Sequence, residues 1–322
     1  MPLSREELLT LYRDLLRLRL VEETIASRYS EQEMRCPVHL SVGQEASAVG
    51  ACSPLTERDV IVSTHRSHGH YLAKGGSLIA MLSEIYGKET GCCGGRGGSM
   101  HLFDKKAGVL ASVPIVGSTI PLGVGAALTF QQRGEPRVSM VFLGDAATEE
   151  GVFHESLNFA SLLNLPVVFF VENNLYSVYT HIRERQPQRP LTAYAKAHGM
   201  PSMRVDGNDV LVVREAAQEM VERARQNEGP SLIVADTYRW REHCGPSYDN
   251  DLGYRTMSEF EDWEHLCPVK KLREHLVDLD FLSDKITAGL TGQIETEINE
   301  AFDSARKAPF PLPESAGLRV YA

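Results

Sequence analysis

Along the 322 residues no apolar run approaches the roughly 18 that a membrane-spanning helix needs, so no membrane span is expected. Lys/Arg-rich runs are also missing, and the net charge is −10 with histidine counted neutral. A chain of that sign disfavours binding to nucleic acid or to an anionic membrane. Six cysteines are present, and none of them is spaced C-x-x-C; the adjacent pair Cys92-Cys93 is a poor disulfide partner. The expectation is reduced thiols in a cytoplasmic protein, with no zinc site. The start of the chain turns acidic at Glu6-Glu7 and carries no apolar signal-peptide segment. No G-x-x-x-x-G-K-[ST] or H-E-x-x-H occurs, and Gly123-x-Gly125 has Leu128 where the third glycine of a dinucleotide fingerprint would stand. Phosphate-loop, zincin and nicotinamide readings therefore lose their support.

What remains is an ordinary globular composition, 43% hydrophobic and 24% charged, in a chain long enough for one large α/β domain or two modest ones. Ser4-x-x-Glu7 is a capping box, and Leu8, Leu11, Leu15 and Leu18 follow at helical spacing. That spacing predicts an amphipathic packing helix over about 4–28 with no chemistry of its own. The runs 137–144 and 166–172 are short, apolar and rich in Val and Phe, as expected of strands buried on both faces of a parallel sheet. A helical pattern over 149–163 joins them into a βαβ unit. A helix is predicted over 117–131, a short strand at 204–205, a helix over 210–227, a strand over 231–237 and a helical C-terminal segment from about 257 to 308. The stretch 239–256 is polar, lacks periodicity and reads as a long functional loop. Neither a repeat nor a linker interrupts the chain, so residues 1–322 are expected to form a single domain, a mostly parallel sheet with helices on both faces and helical extensions at both ends.

Ligands of open α/β sheets bind beyond the carboxyl ends of the strands. Asp145 closes one predicted strand, in Gly144-Asp145-Ala146-Ala147-Thr148, and Asn173-Asn174 close the next, Asn174 standing 29 positions after Asp145. The helix predicted between them, starting near Thr148, would turn its N-terminal amides toward the same crevice, where they favour a phosphate. A carboxylate with an amide oxygen beside such a helix end suits Mg2+, a hard cation that keeps oxygen ligands. Spacing alone leaves a second reading open, an aspartate that merely caps the helix.

The blocks that carry further information are HLSVGQEA (39–46), HRSHG (65–69), GRGGSMHL (95–102), VGSTIPLGVGAAL (116–128), GDAATEEG…ENN (144–174), VDGND (205–209), TYRW (237–240) and the terminal FPLPE…VYA. In that order they resemble the alpha subunits of thiamine-diphosphate-dependent 2-oxoacid and acetoin dehydrogenases, almost from end to end. The resemblance implies a thiamine-diphosphate-binding fold in which Asp145, Asn174 and the Tyr176 carbonyl hold Mg2+. It implies that Arg66 pairs with the diphosphate, helped by His65 and by the backbone of Gly144, Ala146 and Ala147. Val116 would offer its N–H, and Pro114 its carbonyl, to the aminopyrimidine. His68 would line the cofactor cleft, and His39 and His243 would handle protons near the reacting carbon. The roles of His101 and His154, and of the glycines at 95, 97 and 98, are left open between packing and ligand contact.

Several positions depart from the family pattern. Ala146 replaces the last glycine of Gly-Asp-Gly, Pro114 replaces a glycine, and His65 stands where tyrosine is usual. Arg241-Glu242-His243-Cys244 stands where His-Gly-His-Ser is frequent. The family's activating glutamate belongs to a pyrimidine-binding domain for which no second sheet is legible here. A beta subunit is therefore expected to supply it, in an assembly of two alpha and two beta chains, with the acyl fragment passing to lipoamide on an acyltransferase. Two alternatives stand beside this: a two-chain synthase or transketolase-like enzyme that passes the carbanion to an aldehyde, motivated by the loop 241–252 and the stretch His181-Ile182-Arg183-Glu184-Arg185, and a non-catalytic assembly paralogue.

Overall fold

Short runs such as Val-Ile-Val-Ser and Val-Val-Phe-Phe-Val-Glu-Asn are mostly apolar and buried at every position, and a strand of that kind is stable only where both of its faces are covered. In the computed structural model, which describes residues 3–318, they pair into one six-stranded parallel sheet. The strands are β1 (Val60–Ser63), β2 (Val109–Ser112), β3 (Ser139–Gly144) and β4 (Val167–Asn173), followed, beyond a two-stranded hairpin β5 (Tyr176–Ser177) and β6 (Thr180–His181), by β7 (Ser202–Asp206) and β8 (Ser231–Asp236). Their order is β2-β1-β3-β4-β8-β7. Met1, Pro2 and residues 319–322, including the Val-Tyr-Ala end of the last resembling block, lie outside the described residues.

Side chains alternate between two apolar layers. Ile61, Met140, Phe142, Val168, Phe170 and Ile233 face one core, shared with helices α1 (Arg5–Arg28), α2 (Glu45–Cys52), α3 (His68–Ala73) and α4 (Leu78–Ile85). Val62, Val141, Leu143, Val167, Phe169 and Val171 face the other core, beneath α5 (Thr119–Arg133), α6 (Gly151–Leu162), the short α7 (Ile182–Arg185) and α8 (Thr192–Ala197). The chain then returns to the first layer with α9 (Val210–Arg225), α10 (Met257–Glu264), α11 (Pro268–Asp278) and α12 (Asp284–Lys307).

The capping box forms as the sequence requires: the Ser4 hydroxyl accepts from the Glu7 N–H at 3.2 Å and Glu7 accepts from the Ser4 N–H at 2.8 Å. The helical segment over 257–308 is built of three helices, α11 opening on Pro268 at its first turn, where the missing N–H is tolerated. Composition did not reveal the short strands β1 and β2. Four residues are too few to display a period, and only their place in the sheet makes them strands.

Outgoing connections diverge between β1 and β3: β1 leads to β2 on one side, and β3 leads to β4 on the other. That switch point opens a crevice at the carboxyl ends of these strands, and it positions the site.

Candidate functional site

The crevice holds a cavity of about 210 Å3 lined by residues that lie far apart in sequence. Thr64, His65 and Arg66 follow β1; Val113 to Gly117 follow β2; Gly144 to Ala147 follow β3; Asn174, Tyr176 and Val178 follow β4. His39 enters from the loop before α2 and His243 from the long loop after β8.

β3 pairs with β4 so that Gly144 stands opposite Glu172, which brings Asp145 and Asn174 to the same end of adjacent strands. Asp145 is 1% exposed. Burial raises its carboxyl above the usual range, while the Arg185 guanidinium works in the opposite direction. The Asn174 amide nitrogen donates to Gln44 Oε1 at 3.2 Å, and its Oδ1 takes a long 3.4 Å bond from the Tyr176 N–H. Leu175 between them adopts φ 72°, and Val178 adopts φ 55°. Left-handed conformations cost a non-glycine residue about 1–3 kcal/mol; that of Leu175 turns the segment sharply between Asn174 and Tyr176, and that of Val178 lies in the turn between β5 and β6. The Tyr176 ring is anchored through its hydroxyl to Glu259 on α10 at 2.8 Å. The cavity thus offers oxygens from a carboxylate and an amide, a donor set that fits a hard divalent cation.

The turn after β3 differs from the expectation. It is a 3-10 helix over Asp145–Glu149, and α6 begins only at Gly151. The Thr148 hydroxyl donates back to the Asp145 carbonyl at 2.6 Å, which tightens the turn. Ala146 and Ala147 still line the cavity, and Ala146 is not among the residues with positive φ, so the missing glycine costs no strain. Gly117 does need to be glycine, with φ 83° and Glu150 side-chain carbons 3.3 Å from where a Cβ would lie.

Three imidazoles converge opposite. The His39, His65 and His243 ring centroids lie 4.8, 5.1 and 5.2 Å apart. Burial, reinforced by the nearby Arg66 charge, pushes all three down to about 3, so each is neutral at physiological pH. His39 Nδ1 is buried without a hydrogen-bond partner. Arg66 is itself buried, pushed down to about 10 by desolvation, and donates to the carbonyls of Leu40 at 2.5 Å and His243 at 3.1 Å. His65, expected to help bind a phosphate, lies in one cluster with His39 and His243.

The loop carrying His243 is tightly bound. Trp240 N–H donates to Val42 O at 3.0 Å and Gly245 N–H to Val38 O at 2.8 Å. Beneath it the buried Asp249 carboxylate accepts from the buried Arg255 and Arg239, the latter at 3.4 Å, and from the half-buried Tyr254 at 2.5 Å.

His68 corrects the sequence reading: it does not line the cavity. It is fully buried, with Nδ1 2.8 Å from Glu22 on α1 and Nε2 2.7 Å from the Ser99 hydroxyl. Both ring nitrogens are consumed, which also gives the inner face of α1 a polar task that apolar spacing did not reveal. The glycine-rich loop is settled likewise. Glu84 accepts from the N–H groups of Cys93, Gly95, Gly97 and Gly98 at 2.6–3.2 Å. An internal carboxylate fills that nest of amides, so the loop is a structural turn. His101 bonds the Gly97 carbonyl at 2.9 Å and His154 packs on Phe153 and Tyr194. Nothing in the sequence reading brought Gln44, Arg185 or Gln186 to the site residues, which they reach across 36 to 130 positions.

A doubly covered parallel sheet with a cavity at its switch point defines an α/β protein of the open-sheet class, which binds ligands at the carboxyl ends of its strands. Residues 13–314 match the family model described as Dehydrogenase E1 component. The chain is 38% identical to the alpha subunit of acetoin:2,6-dichlorophenolindophenol oxidoreductase from Bacillus subtilis, over all of this chain and 95% of that one. It is 37% identical to the pyruvate dehydrogenase E1 component subunit alpha of Porphyra purpurea, over 96% and 91%. To the acetoin oxidoreductase alpha subunit of Cupriavidus necator it is 37% identical, over 100% and 96%. This chain belongs to the dehydrogenase E1 component family. Thiamine diphosphate is the cofactor that this membership implies. Among the described residues no helix is long and apolar enough to cross a membrane.

Proposed function

We propose that this chain is the alpha subunit of a two-chain thiamine-diphosphate enzyme that cleaves a 2-oxo acid or an acetoin-like substrate and passes the fragment to lipoamide. The observation that carries the reading is the pairing of Asp145 and Asn174, at the ends of adjacent strands, with three neutral imidazoles across one cavity. Bound there, the cofactor would supply the electron sink for the carbanion. Mg2+ would take Asp145, Asn174 and the Tyr176 carbonyl. Arg66 would meet the diphosphate with a charge-assisted donor, beside the backbone of Gly144, Ala146 and Ala147. Pro114 and Val116 would offer backbone groups to the aminopyrimidine. His39 and His243, uncharged and within one cluster, accept and return protons near the substrate, and His65 joins them.

Ile115 and Val116, which line the cavity, are 69% and 46% exposed, and Leu122 on α5 is 53% exposed. Apolar exposure at the rim of a polar site suits an interface, and a beta subunit carrying the pyrimidine-binding domain and its glutamate would cover it, in an assembly of two alpha and two beta chains. Residues 1–322 would act as a single diphosphate-binding domain, in the cytoplasm, where the six free cysteines stay reduced. The aldehyde-accepting alternative drew on the basic stretch 181–185, and Arg185 of that stretch is spent inside the molecule on Asp145 and Glu149. Titrating thiamine diphosphate with Mg2+ into the chain, alone and with its beta subunit, tests the proposal, with Asp145→Ala as control. Binding in the assembly that the substitution abolishes, followed by acyl transfer to lipoamide, is expected. No binding heat in either state would leave the assembly paralogue as the reading.

A further inference from the structure

The strongest feature that this function does not absorb is Arg185, the last residue of α7, whose side chain is 10% exposed. One guanidinium nitrogen, Nη2, donates to Asp145 Oδ2, the other, Nη1, donates to Glu149 Oε1, and Nε donates to the Thr180 carbonyl at 3.1 Å. Gln186, next in sequence, donates to Asp145 O at 3.3 Å, Thr148 Oγ1 at 3.2 Å and Glu149 Oε1 at 2.8 Å. Asp145 is therefore gripped at its side chain and at its backbone by one dipeptide about forty residues away in sequence. The grip spends only Oδ2. Among the described residues Oδ1 of Asp145 accepts no hydrogen bond from another residue's side chain, and the residue faces the cavity.

We infer that Arg185 is a positioning residue for the metal site: it holds Asp145 by one carboxylate oxygen so that the other is presented, in fixed orientation, to Mg2+. The inference rests on the proposed cofactor reading. Its physical basis is that a ligating carboxylate left free to rotate pays for its ordering when the metal arrives, whereas one already clamped does not. The clamp also gives the buried Asp145 charge a counter-ion before any metal binds. Its place in the chain adds a linkage. Asn174, Tyr176 and Arg185 lie on one continuous segment, and the Thr180 carbonyl of β6 ties the guanidinium to the hairpin. The segment that supplies two proposed ligands from the β4 side thus sets the orientation of the third on the β3 side. Lysine cannot reproduce this, because a single ammonium lacks the planar fork that spans two carboxylates.

The test measures the apparent Mg2+ affinity of the assembled alpha–beta enzyme, titrating Mg2+ at fixed thiamine diphosphate and following the protein's own fluorescence or heat. Arg185→Met is expected to weaken Mg2+ about 10- to 100-fold, the range for losing a group that orients a metal ligand. Arg185→Lys, which keeps the charge, falls between that variant and wild type. Raising Mg2+ restores cofactor binding in Arg185→Met, whereas it does not restore binding in Arg66→Met, where the lost group meets the diphosphate. Should Arg185→Met fail to fold, Arg185→Lys decides alone. Mg2+ affinity within about twofold of wild type, or tighter than wild type because the guanidinium had been competing with the metal, overturns the inference. Absence of Mg2+-dependent binding in wild type overturns the cofactor reading instead, so the two failures are distinct.

Discussion

Asp249→Asn removes the charge on which the His243 loop is built. Asp249 is 2% exposed, and the two guanidiniums it neutralises, Arg239 and Arg255, are 1% and 2% exposed. Stranding buried charges in this way costs about 3–5 kcal/mol. The lower end applies, because Arg255 keeps its bonds to the carbonyls of Arg239 at 2.8 Å and Trp240 at 3.0 Å, and Arg239 keeps those to Arg241 at 2.8 Å and Val178 at 2.7 Å. None of the residues 241–254 belongs to the sheet, so the loss appears as local opening of the loop and not as global unfolding. About 3 kcal/mol raises the open population roughly a hundredfold, at 1.4 kcal/mol per decade. Hydrogen exchange read by mass spectrometry should therefore accelerate by about that factor in peptides covering 239–256, with β3 and β4 unchanged. Exchange in the loop within about threefold of wild type, or an equal acceleration throughout the sheet, would refute the reasoning.

Two further expectations concern packing and pH. A Cβ at Gly123 would lie 2.4 Å from Val141 Cγ2 and 2.9 Å from Val62 Cγ2, whereas at Gly125, also on α5, it meets nothing within 4 Å. Gly123→Ala should lower chain stability by about 1–3 kcal/mol in urea unfolding, while Gly125→Ala should leave it unchanged or raise it by up to about 1 kcal/mol; equal effects would contradict the assigned α5 face. His39, His65 and His243 are held down to about 3 in the folded chain, against about 6.5 unfolded. As pH falls from about 6.5 toward 3 the unfolded chain takes up protons that the folded chain refuses, so stability drops by up to about 1.4 kcal/mol per pH unit for each histidine. His65→Gln should flatten that acid limb in denaturant titrations, and an unchanged slope counts against neutral burial of the cluster.

Local pattern determined a good deal of this protein. The Ser4–Glu7 box, the β3–α6–β4 unit, α9 and the doubly buried strands were legible because each is written in consecutive residues. The pairing of Asp145 with Asn174 was legible too, since strand ends in a parallel sheet share one edge and the βαβ spacing is short. Tertiary structure alone decided the rest. β1 and β2 carry no period of their own. His68 looked like a cleft residue until Glu22 and Ser99 occupied both of its nitrogens. The glycine-rich loop looked open to a ligand until Glu84 filled it. His65 joined the imidazole cluster, and Arg185 turned inward to Asp145. The physical reason is common to all of these. Periodicity reports which face of an element is buried, whereas the partner of a buried polar group is chosen by sheet order and loop path, across separations of tens to hundreds of residues on which consecutive residues are silent.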